Sequence, residues 1–333
     1  MLNSNFQKLI LGGTLAGSIL LVCYVVFMTG DDKVNGQVAR RPPPKNPIDA
    51  DRCYGYLKDI CSFGRRPTGS PGMKKQQDYL VAHFEKLGAT VTPQNYTFPH
   101  PETGEKVTLT NLIVTWHPKK LSRILLCAHY DTRPFPSEDK VNPRGEFIGA
   151  NDGGSGVAVL CELANHMPGL ESRRGVDFVL FDAEEFLFDS RRDKDMYFLG
   201  SRFFADVYKR KPPQHRYRYG VLLDMVGDKE LHIYREQNSM RRPRAREVVY
   251  DIWKTAKRLG VKEFIGETKY EIRDDHLPLN EVGIPTCDII DFDYPRPDAA
   301  KQYWHTTEDT LDKCSGESLS KVSWVMLEWL KQN

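Results

Sequence analysis

The pattern of apolar and polar positions changes character near residue 48. Upstream, residues 9–30 form an uncharged run of 22, LILGGTLAGSILLVCYVVFMTG, followed by a polar stretch that ends in RRPPPKNP at 40–47. Downstream, helical and strand spacings alternate. Residues 50–62 read as a helix with Tyr54, Leu57 and Ile60 on one face. Ser70 before Pro71 is a helix start, a capping hydroxyl ahead of a first-turn proline, and that helix stops at Gly88. Residues 91–98 and 107–116 are rich in Val, Thr and aromatics and predict two strands, and the short loop between them predicts an antiparallel pair at a sheet edge. Short apolar runs at 124–127, 176–181, 221–223 and 286–290 predict further strands, with helices over 157–166, 203–208, 248–259 and 319–330. Strands spaced by helices imply a three-layer α/β/α domain with a mixed, centrally parallel sheet.

The upstream run is long enough for a different role. As a helix it would span roughly 33 Å, against a hydrocarbon core of about 30 Å. It exceeds a signal peptide's apolar region and lacks a small-x-small cleavage site. It therefore predicts an uncleaved transmembrane signal-anchor, with secretion after cleavage as the alternative. Lys8 precedes the run and Asp31 and Asp32 follow it, which places the N-terminus in the cytoplasm and the bulk outside. The organisation that follows is a cytoplasmic tail at 1–8, an anchor at 9–30, a Pro-rich linker at 31–47 and a catalytic domain at 48–333.

Composition narrows the function classes. Lys and Arg number 47 against 45 Asp and Glu, a net charge of +2, which argues against nucleic acid as a partner. The basic stretch from Arg241 to Arg246 reads as a solvated helix start. An apolar fraction of 40% excludes a disordered chain. Seven cysteines are too few for a disulfide scaffold. Outside the cytoplasm the six after the anchor could form up to three bridges, though Cys53 and Cys61 sit too far apart along one helix for a favoured pairing. Asn95-Tyr96-Thr97 is a glycosylation sequon.

Ligands of open α/β sheets bind at the carboxyl ends of strands. There the sequence places His129 and Asp131, then Asp182, Glu184 and Glu185, then Asp224, and finally Trp304 and His305; Asp152 lies in a Gly-rich loop that opens a helix. Each has an ordinary reading. Asp152 could cap its helix, Glu184 and Glu185 could be a solvated pair, Asp224 could cap a turn, Asp274 and Asp275 could cap the helix begun by Leu277 and Pro278, and His305 could be a core histidine. His129 with Asp131 could be a polar strand end, or an imidazole whose tautomer the carboxylate fixes. Carboxylates and imidazoles recurring at successive strand ends favour zinc, which suits oxygen and nitrogen donors.

These residues resemble the co-catalytic zinc aminopeptidase superfamily, and within it the glutaminyl-peptide cyclotransferases. The closer likeness is carried by Arg66-Pro67-Thr68-Gly69-Ser70-Pro71-Gly72, by Glu184-Glu185-Phe186 with Leu199-Gly200-Ser201-Arg202 after it, by Asp274-Asp275-His276-Leu277-Pro278 and by Trp304-His305-Thr306, in family order across nearly all of residues 50–333. The resemblance implies one zinc on Asp152, Glu185 and His305, Glu184 as general acid and base, Asp224 and Asp274 in its hydrogen-bond network, and Trp304 lining the substrate pocket. It implies cyclisation of N-terminal glutamine to pyroglutamate, with glutaminyl peptides as partners. The sequence departs from the family in two places. The loop around Asp152 reads more like an aminopeptidase, and Arg273 stands where the cyclases have a small polar residue. The ligands for a second zinc, His129, Asp152 bridging and Asp224, are also present. A zinc aminopeptidase is thus the rival reading, and a membrane-anchored binding ectodomain without catalysis a more distant one.

Overall fold

The apolar runs at the centre of the sequence become strands buried on both faces. The structure, a computed structural model, describes residues 44–189, 192–293 and 303–333. The six-stranded sheet has the order β1 (Thr90–Pro99), β2 (Lys106–Trp116), β4 (Gly175–Phe181), β3 (Ser122–His129), β5 (Arg216–Asp224) and β8 (Thr286–Ile290). From β4 to β8 all neighbours are parallel, while β2 is antiparallel to both β1 and β4. The mixed, centrally parallel sheet and its antiparallel edge are as expected.

Alternation along each strand explains the layers. Ile124, Leu126 and Ala128 of β3 join one core with Leu57 and Ile60 of α1 (Ala50–Ser62), Leu80 and Phe84 of α2 (Pro71–Lys86), α3 (Ser155–Ala164), α6 (Pro243–Leu259) and α8 (Gly316–Gln332). Leu125 and Cys127 point the other way, towards Phe204 of α4 (Leu199–Arg210) and Leu279 of α7 (His276–Glu281). The strands β3, β4 and β8 are thus covered on both faces and carry no solvent-facing side, whereas the edge strand β1 is largely exposed.

Local signals behave as their chemistry requires. Ser70 caps α2 by accepting the Met73 N–H, with Pro71 in the first turn. Three elements are too short for a periodic signal: β6 (Ile233–Arg235) and β7 (Phe264–Thr268) form a separate parallel pair, and α5 (Gln237–Arg241) precedes α6. The basic stretch straddles that junction, with Arg241, Arg244 and Arg246 exposed. The six described cysteines are all buried thiols, so Cys53 and Cys61 are unpaired as their spacing suggests, and none of the three bridges considered forms. Among the described residues no helix is long and apolar enough to cross a membrane. The expected anchor at 9–30 and most of the linker lie outside them.

Candidate metal centre and active site

The carboxyl ends of β3, β4, β5 and β8 converge on one cavity of about 310 Å3, whose walls include Asp152, Glu184, Glu185, Asp224, Asp274, Trp304 and His305. The site is brought together by tight, unusual backbone. Ala183, Met225 and His305 have φ of 57°, 46° and 56°, a left-handed conformation that side chains with a Cβ seldom adopt. Each stands beside or at a site residue, and each turns the chain sharply at a strand end or loop. The cost, about 1–3 kcal/mol apiece, is borne by the surrounding packing. Gly153 has φ 81°, and a Cβ there would lie 2.3 Å from the Asp131 carbonyl oxygen. Only glycine lets the Asp152 loop lie so close to the end of β3.

Two clusters of ligand atoms share Asp152. One comprises Asp152, Glu185 and His305, the other His129, Asp152 and Asp224; all are buried, and within each cluster the atoms lie within 4.8 Å of one another. His305 Nε2 is 2.8 Å from Glu185 Oε1 and 3.2 Å from Asp152 Oδ2. His129 Nε2 is 3.2 Å from Asp152 Oδ1 and 3.1 Å from Asp224 Oδ1. Buried oxygens of Asp152 (Oδ2) and Glu185 (Oε2) accept no hydrogen bond. Three carboxylates gathered so tightly and left short of donors repel one another unless a cation joins them, and two oxygens with one imidazole per cluster is a donor set that zinc accepts. The residues therefore fit zinc.

The electrostatics follow from burial. Burial disfavours a charged imidazole at His129, but Asp131, Asp152 and Asp224 outweigh it and hold the ring's affinity for a proton well above the usual value. Burial likewise opposes ionisation of Asp152, yet His129 and His305 hold it well below the ordinary carboxylate range. Glu184 is different: burial, then the charges of Glu185 and Asp274, push it well above that range. Asp274 is raised by burial and by Asp224 and Asp275, and Asp224 by burial despite the bond from His129. Glu184 and Asp274 thus stand as proton-retaining carboxyl groups beside the two clusters that could hold a metal, to one of which Asp224 belongs.

Several expected roles are reassigned. Asp152 does not cap α3; the cap position is Gly154 and no side chain serves it. Asp275 occupies the cap position of α7 but makes no capping bond, and instead accepts the Ser201 hydroxyl. Asp131 does not hydrogen-bond His129, whose Nδ1 is 3.6 Å away. Its two oxygens accept the backbone N–H groups of Glu184 at 3.0 Å and Glu185 at 3.3 Å, so one buried carboxylate holds the tandem glutamates in place. Trp304 stacks on His305 at 3.8 Å between ring centroids and meets Phe292 edge-on at 5.1 Å.

Other contributors carried no strand-end signal. Asp309 accepts the N–H of Asn151 at 2.8 Å and of Asp152 at 3.0 Å, fixing the ligand loop from below. Arg133, four residues after His129, places Nη1 3.1 Å from His305 Nδ1 and 3.5 Å from Glu185 Oε1. The Arg66 guanidinium donates to the carbonyls of Gly64, Ile148 and Gly149, and Thr68 donates to Asp182 at 2.7 Å. The early Arg-Pro-Thr-Gly motif is thus a brace for the site.

Residues 111–330 match peptidase family M28. A solved glutaminyl cyclase from Fimbriiglobus ruber is 38% identical, with a TM-score of 0.79 over 88% of this chain and 99% of that one. A Zn-dependent exopeptidase from Parabacteroides distasonis is 32% identical, with a TM-score of 0.78 over 88% of this chain and 100% of that one. Among curated proteins, the glutaminyl-peptide cyclotransferase of Gloydius blomhoffii is 26% identical over 316 residues, 80% of this chain and 77% of that protein.

Proposed function

The chain belongs to peptidase family M28, and from that premise we propose that it is a zinc-dependent glutaminyl-peptide cyclotransferase, closing the N-terminal glutamine of peptides to pyroglutamate with release of ammonia. The observation that carries this reading is a buried Glu184 of raised proton affinity, close to Asp274 and lining one cavity with Asp224, Trp304 and the Asp152, Glu185 and His305 cluster. The similarity to solved glutaminyl cyclases points the same way.

Asp152, Glu185 and His305 would hold zinc, which supplies a Lewis acid for the side-chain amide oxygen. In its ionised form Glu184 takes a proton from the α-amine as its nitrogen attacks the side-chain carbonyl carbon, and returns that proton to the departing amide nitrogen. One C–N bond forms, one breaks, and ammonia leaves. Burial and the charges of Glu185 and Asp274 keep Glu184 a strong enough base for that transfer, and Asp224 lines the same cavity. Trp304, with Phe292 behind it, covers the small substrate side chain and excludes water that would otherwise hydrolyse the amide. Because amine and carbonyl belong to one residue, the pocket need only select a folded-back conformer.

Further proposals complete the picture. Residues 9–30 anchor the chain in a membrane, residues 31–47 act as a spacer, and the catalytic domain works outside the cytoplasm on peptides or proteins with N-terminal glutamine, without nucleic acid. A two-zinc aminopeptidase is the second reading, favoured by the intact second cluster of His129, Asp152 and Asp224. One paired assay on the purified chain separates them. A glutaminyl peptide and an aminoacyl chromogenic amide are offered side by side while zinc is counted. Ammonia from the first with about one zinc supports the cyclotransferase; a free amino acid from the second with two zincs overturns it.

A further inference from the structure

The cavity has charged residues at its rim as well as in its floor. Glu138 and Arg273 are both exposed on its wall. Arg133, the other cation on the wall, is buried and engaged with His305 and Glu185. Arg273 pairs with no carboxylate among the described residues. Its sequence neighbour Glu271 is taken by Arg241 at 2.7 Å.

Resting on the cyclotransferase reading, the roles of the two walls fix how a substrate lies. The side-chain amide must face Asp152, Glu185 and His305, the side to which Glu138 belongs, since the Glu138 N–H donates to the His305 carbonyl at 3.0 Å. The α-amine must face Glu184, whose charged neighbours include Glu185 on the metal side and, away from the metal, Asp274 next to Arg273. The residue after glutamine begins two carbons from that amine, beyond the α-carbon and the backbone carbonyl. It therefore leaves the pocket on the Asp274 side, next to Arg273, and away from Glu138. The wall there carries Ile272, Phe292 and the buried Asp274, and among the described residues no carboxylate pairs with the guanidinium.

We infer that Arg273 selects the second residue of the substrate, and that the preferred substrates carry an acidic side chain directly after the N-terminal glutamine. A guanidinium at a half-open rim gains a carboxylate partner that it otherwise lacks, and a lysine in the same position meets like charge. Because the contact is remote from the reacting atoms, it is present equally in ground and transition states, and the discrimination falls on KM rather than kcat.

The test uses the zinc-loaded full chain and three amidated peptides of equal length that begin Gln-Glu, Gln-Ala and Gln-Lys, followed by ammonia release. The expected order of kcat/KM is Gln-Glu, Gln-Ala, Gln-Lys, with steps of about two- to fivefold, carried by KM and shrinking as salt is raised. Arg273→Gln should level the series and Arg273→Glu should invert it. Glu138→Gln is the control for a general field at the mouth. If it changes the Gln-Glu to Gln-Lys ratio as much as Arg273→Gln does, the selection does not belong to Arg273. Equal turnover of all three peptides overturns the inference and leaves cyclisation standing. No ammonia from any of them overturns both.

Discussion

In the proposed cyclisation Glu184 is the residue that moves the proton. Its backbone N–H is held by Asp131, and its carboxyl group is buried among like charges. Glu184→Gln keeps the volume and removes the base. It should lower kcat by about 10²–10⁴-fold while zinc content, read by atomic absorption, stays at the wild-type value. Unchanged turnover would remove Glu184 from the mechanism, and lost zinc would make it a ligand instead. The pairing of Glu184 with Glu185 was legible because adjacent carboxylates straight after a buried strand have no solvent to face. The division of labour between them was not. It depends on Ala183 at φ 57° and on Asp131, which no spacing rule links to the glutamates.

At the scale of elements, the site depends on how closely α3 lies on the sheet. A Cβ at Gly156 would fall 2.2 Å from the Leu223 carbonyl oxygen and 2.9 Å from the Ala128 Cβ. Gly156→Ala should therefore push α3 off β3 and β5, costing about 1–3 kcal/mol and loosening Asp152 and Asp224 together. Thermal melting and zinc content would both fall; a variant that melts like wild type would show that the helix can shift freely. The other side of α3 is tied to α1 by Glu162, which accepts from Arg52 Nε at 2.7 Å and lies 3.2 Å from His166 Nε2. Burial opposes ionisation of Glu162, but Arg52 and His166 outweigh it and hold it below the ordinary value. The folded chain then binds fewer protons there than the unfolded one, so this stabilisation is present above about pH 4.3 and is lost as pH falls through the lower folded value. Glu162→Gln should cost about 1–3 kcal/mol at neutral pH, and the gap in melting temperature from wild type should close on acidification. A gap that stays constant from pH 7 to pH 3.5 would refute the charge-based account. The helices and long strands were legible from periodicity and caps. The β6 and β7 pair was not, since three and five residues are too few for a period to show.

For the whole molecule, metal and fold are linked. The ligand atoms come from residues as distant as 129 and 305, so the cluster exists only in the folded chain and its binding free energy is folding free energy. Chelation should lower the melting temperature, and zinc at about 1,000 times its dissociation constant should restore about 4 kcal/mol. Calorimetry with and without chelator checks this, and an unmoved melting temperature would argue that the cluster binds no ion. Acid should weaken the effect, because His129 and His305 must shed protons to bind. The sequence by itself determined the alternation of strands and helices, the strand ends at which chemistry gathers, and the residue types that suit zinc, because periodicity, caps and donor chemistry are local properties. It also carried the Asp274-Asp275-His276 and Trp304-His305 motifs. It took the folded chain to show that Asp152 is shared by two clusters instead of capping α3, that Asp131 hydrogen-bonds the backbone of both glutamates while acting on His129 through its charge alone, and that Arg66, Arg133 and Asp309 brace the site. Each of those is a contact across tens of residues, and burial at the meeting point of four strands is what turns ordinary carboxylates into proton-retaining or metal-holding ones.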